Sequence, residues 1–280
     1  MTTEVLRTPT TTDATTATER MNFMNTLASE WMKLTTLRST YLTLGLGSVL
    51  SIAMSALVCL AIGNTFDGWP AERQAQFAPI LMSMSGTVVM LIALTVFGVL
   101  VASGEYSSGM MRLTLTATPR RARVLVAKLA LVTGVTSIVG FVTSVSMFLA
   151  GQAVLGSYGI PVADLGDADA QRFVFGLGLM SPLFPVLGAA LGMILRSTPG
   201  AITASLGLLW LPQVFGEVLP SWPQEHLLNL FPQSAADSLT SGHLVDNPMY
   251  SGEAFAGVIL LTWVVVFVGA AHFFLQRRDV

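Results

Sequence analysis

"SGEYSSGMMRLTLTATPRRARVLVAK" (residues 103–128) holds five of the fourteen Lys and Arg residues of the 280-residue chain, namely Arg112, Arg120, Arg121, Arg123 and Lys128, together with one acid, Glu105. On either side lie long runs almost without charge. A polar island between two apolar blocks is the pattern of a loop joining two membrane spans, and the rest of the chain is read outward from it.

Composition supports that frame. Hydrophobic residues make up 52% of the chain and charged residues 11%, against about 25% charged in soluble domains. The mean hydropathy is +0.68. Too few charges remain to cover a water-exposed surface, so the chain is read as an integral membrane protein. A single cysteine, Cys59, excludes an intrachain disulfide and a multi-cysteine metal site. His226, His243 and His272 lack metal-ligand spacing, and neither a GxxxxGK[ST] loop nor a GxSxG elbow occurs. No cofactor, metal or nucleic-acid partner is expected of this chain. Residues 1–20, Thr-rich and without an apolar core, are read as a disordered cytoplasmic tail.

A spanning helix needs about 20 apolar residues. Six segments qualify: Tyr41–Ile62, Ala78–Ser103, Val124–Leu155, Phe173–Leu195, Ala201–Val218 and Ala256–Leu275. An even number of spans puts both termini on one side. That side receives twelve of the Lys and Arg residues, whereas the opposite loops keep only Arg73 and Arg172. Ten acids, including Asp164, Asp167, Asp169, Glu217 and Glu225, lie opposite. Both termini are therefore expected to be cytoplasmic, in the cell membrane, with residues 103–128 as the main inner loop.

Before the first span, Phe23, Leu27, Trp31 and Leu34 recur at helical spacing, with Glu30, Lys33 and Arg38 around them. The pattern is that of an amphipathic helix over residues 21–38, lying in the inner interface with its apolar face in the acyl boundary. Lys128 is counted with the inner loop, so the spans themselves are read as free of Asp, Glu, Lys, Arg and paired His. That argues against a proton- or sodium-driven transporter, which places ionisable groups at depth. Interruptions are expected at Ser181-Pro182…Pro185 and Pro212, and Gly188-x-x-x-Gly192 offers a close helix approach. If the protein moves a solute, the energy comes from elsewhere.

Within the opening stretch, Thr118-Pro119 reads as a helix start with Thr as N-cap, and "STPG" (197–200) repeats the device. Arg120, Arg121 and Arg123 then oppose the helix dipole, so helix stability does not explain them. Lipid phosphates on the inner face, or an acidic partner, would. Glycines and serines around Glu105 suggest a locally flexible stretch. Between Gly109 and Pro119, Met110 and Leu113 share a face of a short semi-apolar segment with Arg112, suited to presentation to a protein partner.

These residues resemble the first cytoplasmic loop of the ABC-2 type transporter permeases. In that family a Glu-x-x-x-Gly pattern after the second span opens a coupling helix that docks onto a separate ATPase, and a Pro-Arg-Arg and a Lys follow. Here the matching residues are Glu105, Gly109, Pro119, Arg120, Arg121 and Lys128. "SEWMKLTTLRS" is similar to the interfacial helix of actinobacterial members, and the terminal "QRRDV" to their ending. The resemblance implies an all-α, six-span domain over residues 21–280 with a coupling helix between spans two and three. It further implies short re-entrant helices between spans five and six, which residues 219–255 would supply.

By the same resemblance the protein is the permease subunit of an ATP-binding-cassette exporter for a lipophilic or amphipathic compound. Two ATPase subunits, holding the ATP and magnesium, and a second permease subunit would complete it, and this chain would not itself be an enzyme. The coupling residues would be Glu105, Gly109, Met110, Arg112, Leu113, Pro119, Arg120 and Arg121. Phe23, Leu27, Glu30, Trp31, Lys33 and Leu34 of the interfacial helix would rest against the same partner. The rival readings are an integral membrane enzyme using Glu225, His226, Asp237, His243 and Asp246 on the outer face, or an accessory or sensory membrane subunit.

Overall fold

The computed structural model describes residues 23–117, 120–216, 218–242, 244 and 247–277. The proposed tail, and Thr118, Pro119, Glu217, His243, Asp246 and residues 278–280, lie outside them. The described chain is all-helical. We number its helices α1 Phe23–Thr36, α2 Arg38–Thr65, α3 Ala71–Ala75, α4 Pro79–Ser83, α5 Thr87–Ser107, α6 Met110–Ala117, α7 Arg121–Ser157, α8 Ala168–Met180, α9 Leu183–Leu195, α10 Thr198–Gly216, α11 Ser221–His226, α12 Pro232–Thr240 and α13 Glu253–Arg277.

Five helical segments are long and apolar enough to cross a bilayer: Arg38–Gly68, Thr87–Ser107, Arg121–Ser157, Ala168–Leu195 and Glu253–Arg277. Some hydroxyls inside them are satisfied locally and others across helices, as Ser144 Oγ donates to Val174 O (2.7 Å). Ser51, Thr95, Ser103 and Thr136 each donate to the carbonyl four residues earlier, which removes the cost of an unmatched polar group in hydrocarbon. α10, with 19 residues, measures about 28 Å. Pro199, Pro212 and Gln213 hold its hydropathy below that of the five.

Two expected spans are each broken into a pair of helices. The second begins as α4, turns at residues 84–86, and resumes as α5. Gly86 donates to Ser55 Oγ (3.0 Å), and Ser83 Oγ donates to Pro79 O (2.9 Å). The fourth breaks at Ser181-Pro182, where Ser181 Oγ donates to Gly178 O (2.7 Å) and Thr136 O (3.0 Å). Both breaks rest on α7, against Gly151 and Gly140 respectively. A Cβ at Gly151 would fall 2.5 Å from Ser83 Cβ, and one at Gly140 2.2 Å from Ser181 Oγ.

α9 is the core helix, buried along nearly its whole length and packed on α5. Gly188-x-x-x-Gly192 lies against Thr95, Val99 and Ala102 of α5, and Gly98 of α5 faces the Pro185 backbone. Close backbone approach, rather than a hydrophobic drive, holds helices together in lipid.

One end of the bundle gathers the basic residues and the other the acids. At the basic end Arg121 Nη1 donates to Leu275 O (2.7 Å) and Thr198 Oγ1 to Ser103 Oγ (2.9 Å), so the starts of α7 and α10 sit beside the ends of α13 and α5. At the acidic end Arg172 pairs with Glu253 (2.6 Å), and Trp263 donates to Leu230 O (2.8 Å), seating the α11–α12 segment on α13.

Three local expectations are corrected. The stretch around Glu105 is not a loose linker. α5 stays helical through Ser107, and the chain turns only at Gly109, whose φ of 71° suits a residue without a Cβ. α7 begins at Arg121, with Arg120 in the cap position, rather than at Pro119. At 197–200 the capping residue is Ser197, whose Oγ accepts from Gly200 N (3.4 Å), and Thr198 is the first helical residue.

Candidate functional site

The basic end contains a closed ring of four charges. Glu30 and Lys33 come from α1, Glu105 from the last turn of α5, and Lys128 from the second turn of α7. Lys33 Nζ pairs with Glu30 Oε1 and with Glu105 Oε1 (2.9 Å). Lys128 Nζ pairs with Glu105 Oε1 (3.0 Å) and Glu30 Oε2 (2.6 Å). Charges alternate around the ring, so each faces two of opposite sign and the sum is zero.

Helix geometry makes the ring possible. Glu30 and Lys33 are one turn apart on α1 and share its inner face. That face, Thr26, Glu30 and Leu34, is buried, while Trp31, about 100° round the helix from Glu30, is exposed. Glu30 is 2% exposed, Lys128 1% and Glu105 8%. Burying an isolated charge is prohibitive; a closed, neutral ring is the arrangement in which such burial is tolerated. Burial works against the charged form of Glu30, but Lys128 and Lys33 hold its carboxyl below the usual range. Burial likewise opposes the charged form of Lys33, and Glu30 and Glu105 hold its ammonium above the usual range.

Two bonds extend the ring to the backbone and to α6. Lys128 Nζ donates to Val101 O (3.2 Å), and Lys33 Nζ donates to Thr114 Oγ1 (3.1 Å). α6 is further seated by Met111, which is fully buried, whereas Met110 and Leu113 stand exposed, Leu113 at 69%. Arg112 and Arg120 are exposed as well, and Arg121 is spent on α13. The ring therefore links α1, α5, α6 and α7, and α6 offers its apolar outer face beyond it.

Over residues 26–207 the chain matches the ABC-2 family transporter proteins. This chain belongs to that family. The match takes in all four ring charges and α6, and ends within α10, before the α11–α12 segment and α13. No similar sequence is found among the curated proteins. As an ABC-2 permease it is a multi-pass membrane component of a transporter whose family works with an ATPase subunit.

Of the sequence-derived candidates, some fall in the ring, some on the exposed face of α6 and some outside the described residues. Glu105, taken as the opening residue of a docking segment, is buried in the ring. Glu30, taken as polar surround of an interfacial helix, faces the bundle. Pro119 lies outside the described residues. Lys128 overturns the expectation of spans free of ionisable groups: it lies within the Val124–Leu155 run and is buried. The mutual attraction of Glu30, Glu105 and Lys128 was missed because nothing in sequence spacing links residues 98 positions apart. A lone lysine inside an otherwise apolar run was the available signal, since such a residue seeks partners.

At the acidic end, Glu225, His226 and Asp237, the described residues of the enzyme reading, make no hydrogen bond or ion pair with one another, and His243 and Asp246 lie outside the described residues. His226 Nδ1 meets Trp222 O (2.9 Å) and its ring stacks on Trp222. Asp237 Oδ1 accepts from Gln233 (2.8 Å) within α12. Among the described residues no group of His, Cys, Asp and Glu could hold a metal ion.

Proposed function

We propose that this chain is the membrane subunit of an ATP-driven exporter, and that the four-charge ring makes α1, α6 and the inner ends of α5 and α7 one mechanical unit. The observation that carries this reading is the pair of bonds from Lys33, one to Glu105 and one to Thr114. Through them a push on α6 reaches the interfacial helix and two spans together. α6 is the coupling helix, with Met110, Leu113 and Arg112 as the surface met by a separate ATPase that binds ATP and magnesium. Gly109 gives the turn that sets α6 off from α5.

In this reading α10 is a sixth crossing, its start beside Ser103 at the basic end and its end leading into the acidic-end loop. The basic end is cytoplasmic, as its arginines and lysines favour, and the α11–α12 segment is the outer re-entrant element. A second permease subunit and two ATPase subunits complete the exporter, with a lipophilic or amphipathic compound as cargo. Among the described residues neither the ring nor the acidic end presents a nucleophile with a base, which favours transport over an enzyme.

The test is Leu113→Glu, which alters an exposed residue outside the ring. The expected result is a chain that inserts and melts as the parent does but loses its ATPase on mild extraction. Retention of the ATPase at parental level would overturn the assignment of α6. Glu105→Arg, the obvious alternative, would place a third cation beside Lys33 and Lys128 and report on stability instead.

A further inference from the structure

Between α1 and the spans lies a cavity of about 370 Å³, within the roughly 300–1,000 Å³ of small-molecule sites. Leu34, Leu44, Phe97, Val135 and Val139 form its apolar wall, so α1, α2, α5 and α7 all contribute. Trp31 and Tyr41, 51% and 61% exposed, stand at its mouth, and Tyr41 OH donates to Thr35 O (3.0 Å) across the α1–α2 elbow. Gly45, also on the lining, is exposed, and a Cβ there would meet nothing within 4 Å. The opening is therefore lateral, at a depth of about 10 Å past Arg38 along α2, where the surrounding medium is hydrocarbon rather than water.

The start of α2, two turns before Gly45 on the same face and nearer the membrane surface than the opening, is suited to a phosphate. Arg38, the first residue of α2, is exposed and makes no ion pair among the described residues. The α2 N-terminus has no side-chain cap, and a helix N-terminus favours an anion through its free amides and dipole. Trp and Tyr at this level are the residues that mark a membrane interface.

We propose that this cavity binds one acyl chain of an anionic phospholipid from the basic-end leaflet, with the lipid phosphate at Arg38 and the start of α2. The bound chain lies directly behind the helix that carries Glu30 and Lys33, so its presence sets how closely α1 seats on the ring. The proposal requires only that the chain lies in a bilayer and does not depend on the transport reading.

The test uses the full chain, extracted in mild detergent and incubated with equal amounts of phosphatidylglycerol and phosphatidylcholine, with bound lipid counted by native mass spectrometry. The expected result is one phospholipid per chain, with phosphatidylglycerol preferred. Gly45→Leu should lower occupancy about tenfold or more, equivalent to about 1.4 kcal/mol, without lowering the melting temperature. Arg38→Gln should keep the occupancy and abolish the preference. Unchanged occupancy in Gly45→Leu, no retained lipid in the parent, or a cavity covered instead by a second copy of the chain would overturn it. A phosphatidylglycerol carrying a diazirine on its acyl chain gives a check on the unmutated chain. Cross-links on residues 42–45 and 135–139 are expected, and cross-links confined to other faces would also overturn it.

Discussion

Replacing Lys128 by methionine removes one charge of the ring while leaving a side chain of similar length in the same space. The packing loss is small, because a volume-conserving swap in a core costs less than about 1.5 kcal/mol. The electrostatic loss is larger. Lys128 is 1% exposed and holds Glu30 Oε2 at 2.6 Å and Glu105 Oε1 at 3.0 Å. Without it two buried carboxylates share Lys33 alone, and breaking a buried pair by removing one partner costs about 3–5 kcal/mol. At about 2–4 °C per kcal/mol for chains of 150–250 residues, the melting temperature should fall by roughly 6–20 °C. Thermal unfolding in detergent reads this directly. Adding Glu30→Gln to Lys128→Met restores a neutral pair, Lys33 with Glu105, so the double variant should regain at least half of the loss, about 2 kcal/mol, and the coupling exceeds that regain by the cost of Glu30→Gln alone. A single variant melting within about 2 °C of the parent, or a double variant that loses the sum of the two singles, would refute the ring as a coupled unit.

Gly98→Ala should destabilise by about 1–3 kcal/mol, because its Cβ would fall 2.1 Å from Pro185 O and force α5 from α9; Gly45→Ala, with open space around it, should melt no lower than the parent, and denaturation in detergent distinguishes the two. Asp237 is pushed up to about 7 by burial, only partly countered by the Gln233 hydrogen bond. The folded state thus holds a proton that the unfolded chain releases near the ordinary value of 3.8, so this group's contribution to stability falls as pH rises from about 4 to about 7 and is flat above. Asp237→Asn should remove that slope, by a few kcal/mol over the range, and melting at pH 5.5 against pH 8 checks it. Tyr250, raised by its own burial and then by the Asp237 charge, should titrate lower in the same variant.

The membrane class, five of the six expected spans and the polar island were legible in the sequence, because hydropathy acts over twenty residues at a time and needs no tertiary information. Proline marked one break and not another: the helix ends at Ser181-Pro182, whereas α10 runs on through Pro212, where an interruption was expected. Ser181-Pro182 was foreseen; the turn at residues 84–86 was not, because it depends on Ser55 and Gly86 meeting across two helices. The site was half visible. Glu105, Glu30 and Lys33 stood out as charges at an apolar boundary, and the family pattern drew in Lys128. What periodicity could not supply was direction: the same α1 pattern fits Glu30 facing water or facing protein. The choice is made by Lys128, seven residues inside α7, whose charge must be matched within the bundle. The charged side of α1 therefore turns inward and its Trp31 side outward.

The central claim, that α6 passes an ATPase's motion into the ring, is tested most directly by purifying the tagged chain from its own membranes in mild detergent and quantifying the ATPase that accompanies it, in the parent and in Leu113→Glu. A P-loop ATPase is expected in an amount equal to the parent chain and at least about tenfold less with Leu113→Glu, at unchanged yield and melting temperature. An ATPase held equally by both, or none with an intact parent chain, would contradict it.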